Sequence, residues 1–274
     1  MKLHFQDSPM NFARYINSRI RDEGYVALGV PGGMTLLHIA MMISSSKIVS
    51  LLLKHGADVH ATNVMGQDPF QNASTFGRSD NLKFWLEQFP SWDIDRPTSI
   101  YGGTALSIAV FMGFTNREAI EFLIGKGANT TRKTSTGSSI IVTAASNEDA
   151  DLGMVKMLLQ IVCGGGPSRK SRNILNQPLR PVSSRWRATY AASKILVRTG
   201  LTNAALYRIL ADEPGTTALS YAVMRGDDDL TKLLLKYGAD PRIKNDMGLN
   251  ALDLCNKYGP YPNVLKTLSE YSLA

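Results

Sequence analysis

Three groupings of residues have the types and spacing that could do chemistry. Gly164 to Ser171, GGGPSRKS, has the glycines, lysine and hydroxyls of a phosphate-cradling loop. Such a loop needs glycine immediately before the lysine and a strand leading into it. Arg169 stands before Lys170 instead, and no strand pattern precedes Cys163, so nucleotide chemistry is not expected. Cys163 and Cys255 could act as thiolates only with a histidine in reach, and His4, His38, His55 and His60 all precede residue 61. His55 and His60 lack the further ligands that complete a metal site. The run Asp227, Asp228, Asp229 reads as acids complementing the dipole at a helix start. Neither catalytic residues nor a cofactor or metal are expected, and Cys255 reads as a small core residue.

The elements that would carry such residues repeat. GMTLLHIA begins at Gly33, and similar restarts follow at Gly66, Gly102, Gly137, Gly215 and Gly248, with spacings of 33, 36, 35, 78 and 33 residues. Each unit reads as helix, turn, helix, loop. Thr35 is a plausible N-cap before Leu36, Leu37 and Ala40. Lys47 to His55 forms a second apolar-faced helix that Gly56 ends in the left-handed conformation. Residues 229 to 246 return to the same grammar. Phe84, Leu86 and Phe89 read as core, while Trp92 and Tyr101 fall in a loop beyond Pro90.

TLLHIA at 35 to 40 and the GAD or GAN turns at 56 to 58, 127 to 129 and 238 to 240 resemble the ankyrin-repeat family. The resemblance covers about 33 to 163 and 213 to 270. It implies an all-α solenoid of stacked helix-turn-helix units with projecting hairpin loops, some six to seven repeats with terminal caps and one degenerate repeat. It also implies that His38 ties neighbouring loops by hydrogen bonds. On this reading 1–274 is a single ankyrin-repeat domain. A capping helix and loop occupy 9–32, with Phe12, Ile16 and Ile20 on one face. Repeats one to four fill 33–163, a basic Gly/Pro-rich insertion 164–186, a degenerate repeat 187–214, and the last two repeats with a C-terminal cap 215–274.

The 274 residues carry a net charge of +7, with 44% hydrophobic and 19% charged residues, as in an ordinary globular chain. Between Asp151 and Asp212 there are ten Lys and Arg and no acid, so the other residues sum to −3. Cys163 to Arg187 shows no helical period and reads as a long loop, a length usually functional or disordered. Residues 188 to 212 read as two helices. Few cysteines, no apolar leader and no run of about 18 apolar residues lead us to expect an intracellular monomer without a transmembrane segment, in cytoplasm or nucleus.

A solenoid offers a broad, rigid surface rather than a deep pocket, so the expected function is that of a non-enzymatic adaptor binding another protein through the concave loop and inner-helix face, with a partner of acidic surface compatible with the excess of cations. The loop-tip residues Thr62, Val64, Met65, Trp92, Tyr101, Arg132, Lys133, Arg242 and Lys244 are the candidate contacts. The alternative is binding of nucleic acid or an anionic membrane surface through 164–208, with Arg169, Lys170, Arg172, Arg185, Trp186 and Arg187 as the anion-binding residues. Phosphate contacts would make that affinity steeply salt-dependent. Short divergent chains of the family also occur among bacterial effectors delivered into eukaryotic cells, which would place the chain in host cytoplasm.

Overall fold

The structure, a computed structural model, describes residues 16–20, 32–113, 116–147 and 151–272. Most of the expected N-terminal cap, including Phe12, lies outside them. Ile16 is buried. The described residues hold fifteen α-helices and no strand. The chain divides into two compact units, 1–129 and 130–274.

In the first unit the helices pair as α1 (Leu36–Ile43) with α2 (Ser46–Lys54), α3 (Pro69–Thr75) with α4 (Ser79–Gln88), and α5 (Ala105–Met112) with α6 (Arg117–Gly125). Inner helices α1, α3 and α5 stack in order, as do outer helices α2, α4 and α6. The inner helices are short and nearly all apolar or small, because they are covered on both sides. Leu37, Ala40, Met41, Phe70, Ala73, Leu106 and Ala109 are buried. In α4 the core positions are Leu82 and Trp85, both fully buried, rather than the expected Phe84, Leu86 and Phe89. The helical face runs through 82, 85 and 89, and Phe89 packs tilted on Trp85 with 4.9 Å between rings.

The second unit contains α7 (Ile140–Ser146), α8 (Leu152–Cys163), α9 (Arg169–Leu175), α10 (Ser184–Arg198), α11 (Ala205–Asp212), α12 (Ala218–Met224), α13 (Asp228–Lys236), α14 (Ala251–Tyr258) and α15 (Pro262–Ser272). Inner helix α7 packs directly on α12, and α12 on α14; outer helix α8 touches α13, and α13 packs on α15. Val264 and Leu268 of α15 are buried while Lys266 and Glu270 are exposed, as expected of a cap. Cys255 is a core residue.

Two expectations are corrected here. Residues 164–186 are not a loop: they contain α9 and the start of α10, with Ser168 and Ser183 as N-caps accepting from Ser171 N–H and Trp186 N–H. The helix α9 escaped the periodicity because its seven residues are mostly polar. It packs on α8 and is held by Leu175 in the core, by Ser171 Oγ donating to Tyr237 O at 2.8 Å and by Asn176 Nδ2 donating to Gly238 O at 3.1 Å. Nor do residues 187–214 form a repeat within the stack, since α7 meets α12 directly and α10 packs chiefly on α11.

The backbone shows where the excursion enters. Each loop between repeats closes through one anchor residue that donates its N–H forward and accepts one bond. Asn63 donates to Gln67 O (2.9 Å) and accepts from Gly66 N–H (2.9 Å); Thr134 does so with Ser138 and Gly137, and Asn245 with Leu249 and Gly248. Leu179 makes the same pair with Thr216 O (2.7 Å) and Gly215 N–H (2.9 Å). Residues 180–214 therefore stand where the loops anchored at Asn63, Thr134 and Asn245 have two residues and the loop anchored at Thr98 has three. The helical hairpin α10–α11 is an enlarged loop tip.

Two outcomes test this organisation. Gly215 has φ +88°, and a Cβ there would lie 2.8 Å from Asp246 N and 2.9 Å from Asn245 Cα. Gly215→Ala should destabilise the second unit by about 1–3 kcal/mol in urea unfolding, more than Gly56→Ala destabilises the first, where a Cβ meets nothing within 4 Å. In native-state hydrogen exchange, amides of 186–210 should open at lower free energy than those of α12, because few of their side chains are buried.

Candidate partner-binding surface

The loop tips are positioned by the anchor bonds and by ties to the preceding loop. Val64 N–H donates to Gly32 O (3.0 Å), Asp246 N–H to Pro214 O (2.8 Å) and Val182 N–H to Ser135 O (3.1 Å). The GAD turns are fixed the same way. Asp58 N–H donates to Asn17 Oδ1, Asn129 N–H to Asp95 Oδ1, and Asp240 N–H to Asn176 Oδ1, at 2.8–2.9 Å. Asn176 follows α9, so that helix supplies a part every repeat needs. The asparagines and aspartate were not read from the sequence, because only their distance to a turn 34 to 64 residues later gives them meaning.

With the backbone so constrained, the tip side chains are left outward. Val64, Tyr101, Arg132, Arg242 and Lys244 are exposed, and Met65 and Lys133 half-buried. Thr62 is half-buried, and its carbonyl accepts from Arg19 Nη1 at 2.6 Å. Arg242 pairs with Asp240 at 2.9 Å, which holds that carboxyl below the usual range. Trp92 is placed differently: half-buried, it stacks on His60 at 5.2 Å and meets Trp85 edge-on at 5.1 Å. The structure thus brings Trp92 into a local aromatic cluster with His60, which Arg96 Nη1 approaches to 3.2 Å.

In the basic segment Arg169, Lys170 and Arg172 are exposed on or beside α9, and Arg185 and Arg187 on α10. Trp186 is half-buried against Tyr190, 5.6 Å between rings. The hairpin is pinned at its base. Asp212 is fully buried, with Lys257 Nζ at 2.5 Å and the Tyr258 hydroxyl donating at 2.7 Å. Beside it, burial raises the Glu213 carboxyl despite bonds from Tyr190 and Tyr221.

His38 does tie two loops. Its Nδ1 accepts from Thr35 N–H (3.2 Å), so in the neutral ring Nε2–H donates to Gln67 O (3.1 Å). Burial pushes its pKa down to about 4.

Two segments match family models: residues 32–64 the ankyrin repeat, and 210–255 ankyrin repeats in many copies. An ankyrin repeat protein of Acanthamoeba polyphaga mimivirus is 23% identical over 257 residues, 90% of this chain and 31% of that protein, so the chain spans about a third of the relative's length. Among solved structures, one similar chain comes from the complex of the predatory endopeptidase Bd0816 with the immunity protein Bd3460 of Bdellovibrio bacteriovorus. Its TM-score is 0.58 at 23% identity, covering 87% of this chain and 98% of that one. Another is the ankyrin repeat domain of Bcl-3, a member of the IκB family, with TM-score 0.56 at 23% identity, covering 86% and 82%. Stacked helix pairs with outward loop tips define a helical-repeat binding scaffold. Residues 32–64 and 210–255 carry ankyrin repeats, and the chain is similar to ankyrin-repeat proteins in sequence and in fold.

The depressed His38 pKa gives a signed expectation. The unfolded state takes up a proton near pH 6.5 that the folded state resists until about pH 4, so stability present above pH 6.5 is lost as pH falls between these values. Between pH 7 and pH 5 the wild type should lose about 2 kcal/mol more than His38→Gln, measured by urea unfolding at both pH values.

Proposed function

We propose that the chain is a non-enzymatic adaptor that binds a protein partner through its loop tips and the adjoining inner helices. The ankyrin repeats support a protein-interaction module. The observation that carries the finer reading is the contrast at each loop. The anchor bonds repeat, while the exposed side chains around them, Val64 and Tyr101 in the first unit and Arg132 and Arg242 in the second, differ in type and in place along the loop. A rigid frame carrying a different set of side chains on each unit suits recognition of a particular surface. The cations at 132, 133, 242 and 244 favour a partner acidic where the second unit meets it.

The test is capture of the partner followed by titration of the purified pair. Val64→Asp with Tyr101→Ala probes the first unit and Arg132→Glu with Arg242→Glu the second. At least one pair should weaken binding by tenfold or more, about 1.4 kcal/mol, with circular dichroism unchanged. Wild-type affinity in both would remove the loop tips from the interface.

A further inference from the structure

The hairpin α10–α11 breaks the rule that apolar side chains turn inward. Ala188, Ala191, Ala192 and Ile195 fall at i, i+3, i+4 and i+7 on one exposed face of α10, while Tyr190 and Ser193 on the opposite face are buried. In α11 the buried side chains are Ala211 and Asp212 at its end, and Leu206 and Ile209 point to solvent. Leu201, in the turn, is 74% exposed, Leu206 64%, Val182 61% and Ile195 60%. Such concentration in one projecting element, unlike scattered surface leucines, marks a covered site.

The charge of this element narrows what covers it. Arg185, Arg187, Lys194, Arg198 and Arg208 belong to it, and no acid occurs from 152 to 211. The occupant must offer both negative charge and an apolar phase. Nucleic acid offers charge but takes flat rings for stacking; of the six large exposed apolar side chains, Val182, Ile195, Leu201, Leu206, Tyr207 and Ile209, five are aliphatic. A protein helix would be received along one strip. Leu206, Tyr207 and Ile209 instead spread over almost half the circumference of α11, which suits a fluid surface that closes around them.

We propose that the α10–α11 hairpin docks on an anionic phospholipid surface, inserting Leu201 and Leu206 among the acyl chains while Arg187 and Arg198 meet the headgroups. The long arginine stems let apolar and charged groups serve one contact. This role goes beyond protein binding by the other loop tips and leaves them available.

The test is co-sedimentation of the full chain with phosphatidylcholine vesicles, with and without phosphatidylserine. Binding should require phosphatidylserine. Leu201→Ser with Leu206→Ser should lower partitioning by about tenfold or more, and Arg187→Gln and Arg198→Gln by about fivefold each. All four positions are exposed, and circular dichroism should not change. Arg132→Glu with Arg242→Glu, which tests the protein-binding reading, should leave vesicle binding within about twofold. The proposal is overturned if no anionic vesicle is bound, or if binding persists in the double serine variant. Equal binding with and without phosphatidylserine also overturns it, as does selective retention of single-stranded RNA or an acidic peptide in place of vesicles.

Discussion

Short helices cannot satisfy themselves. A helix of seven to ten residues leaves most of its backbone groups near an end, so the stack depends on neighbours completing one another's hydrogen bonds. Asn81 Nδ2 donates to Met41 O and Ser44 O at 3.1 and 3.0 Å, and Asn116 Nδ2 to Ser74 O at 3.0 Å, serving carbonyls at the ends of α1 and α3. Arg225 Nη1 does the same for Ala145 O at the end of α7 (2.7 Å). The N-termini are served locally: Asp68 accepts from Gln71 N–H and Asp227 from Leu230 N–H. Side chains with fixed polar duties are therefore buried between repeats, and variation is displaced to the loop tips.

That division explains what the sequence disclosed. The restarts at Gly33, Gly66, Gly102, Gly137, Gly215 and Gly248 are legible because a left-handed residue is required at each closure, and all six have positive φ. Thr35, Gly56, Asp227 and Cys255 also take the places their types imply. The aromatic segment was harder to read. Four large rings within nine residues do not reveal which is innermost, and Trp85 is settled only by its contacts with Phe70 and Trp92.

The basic segment was misread because two kinds of signal coincide there. Its glycines and prolines suggest a loop, and they do flank one; between them, serine caps and one buried leucine suffice to hold α9. Likewise Ile195 and Leu206 have the period of core helices yet face outward. Periodicity reports that a helix has an apolar side, not what lies against it. The position of Leu179 opposite Gly215 could only be found in three dimensions, since 35 residues separate them.

The closure at Leu179 also makes the scaffold a modular port. Both ends of the excursion are closed by the two backbone bonds at Leu179, and its remaining ties to the frame lie at its base, through Val182 and Asp212. Enlarging the loop from two residues to 35 is about four doublings of length, an entropic cost of about 2.5 kcal/mol. A repeat array of this kind can acquire, exchange or lose an entire accessory element at one tip while its other tips keep their spacing.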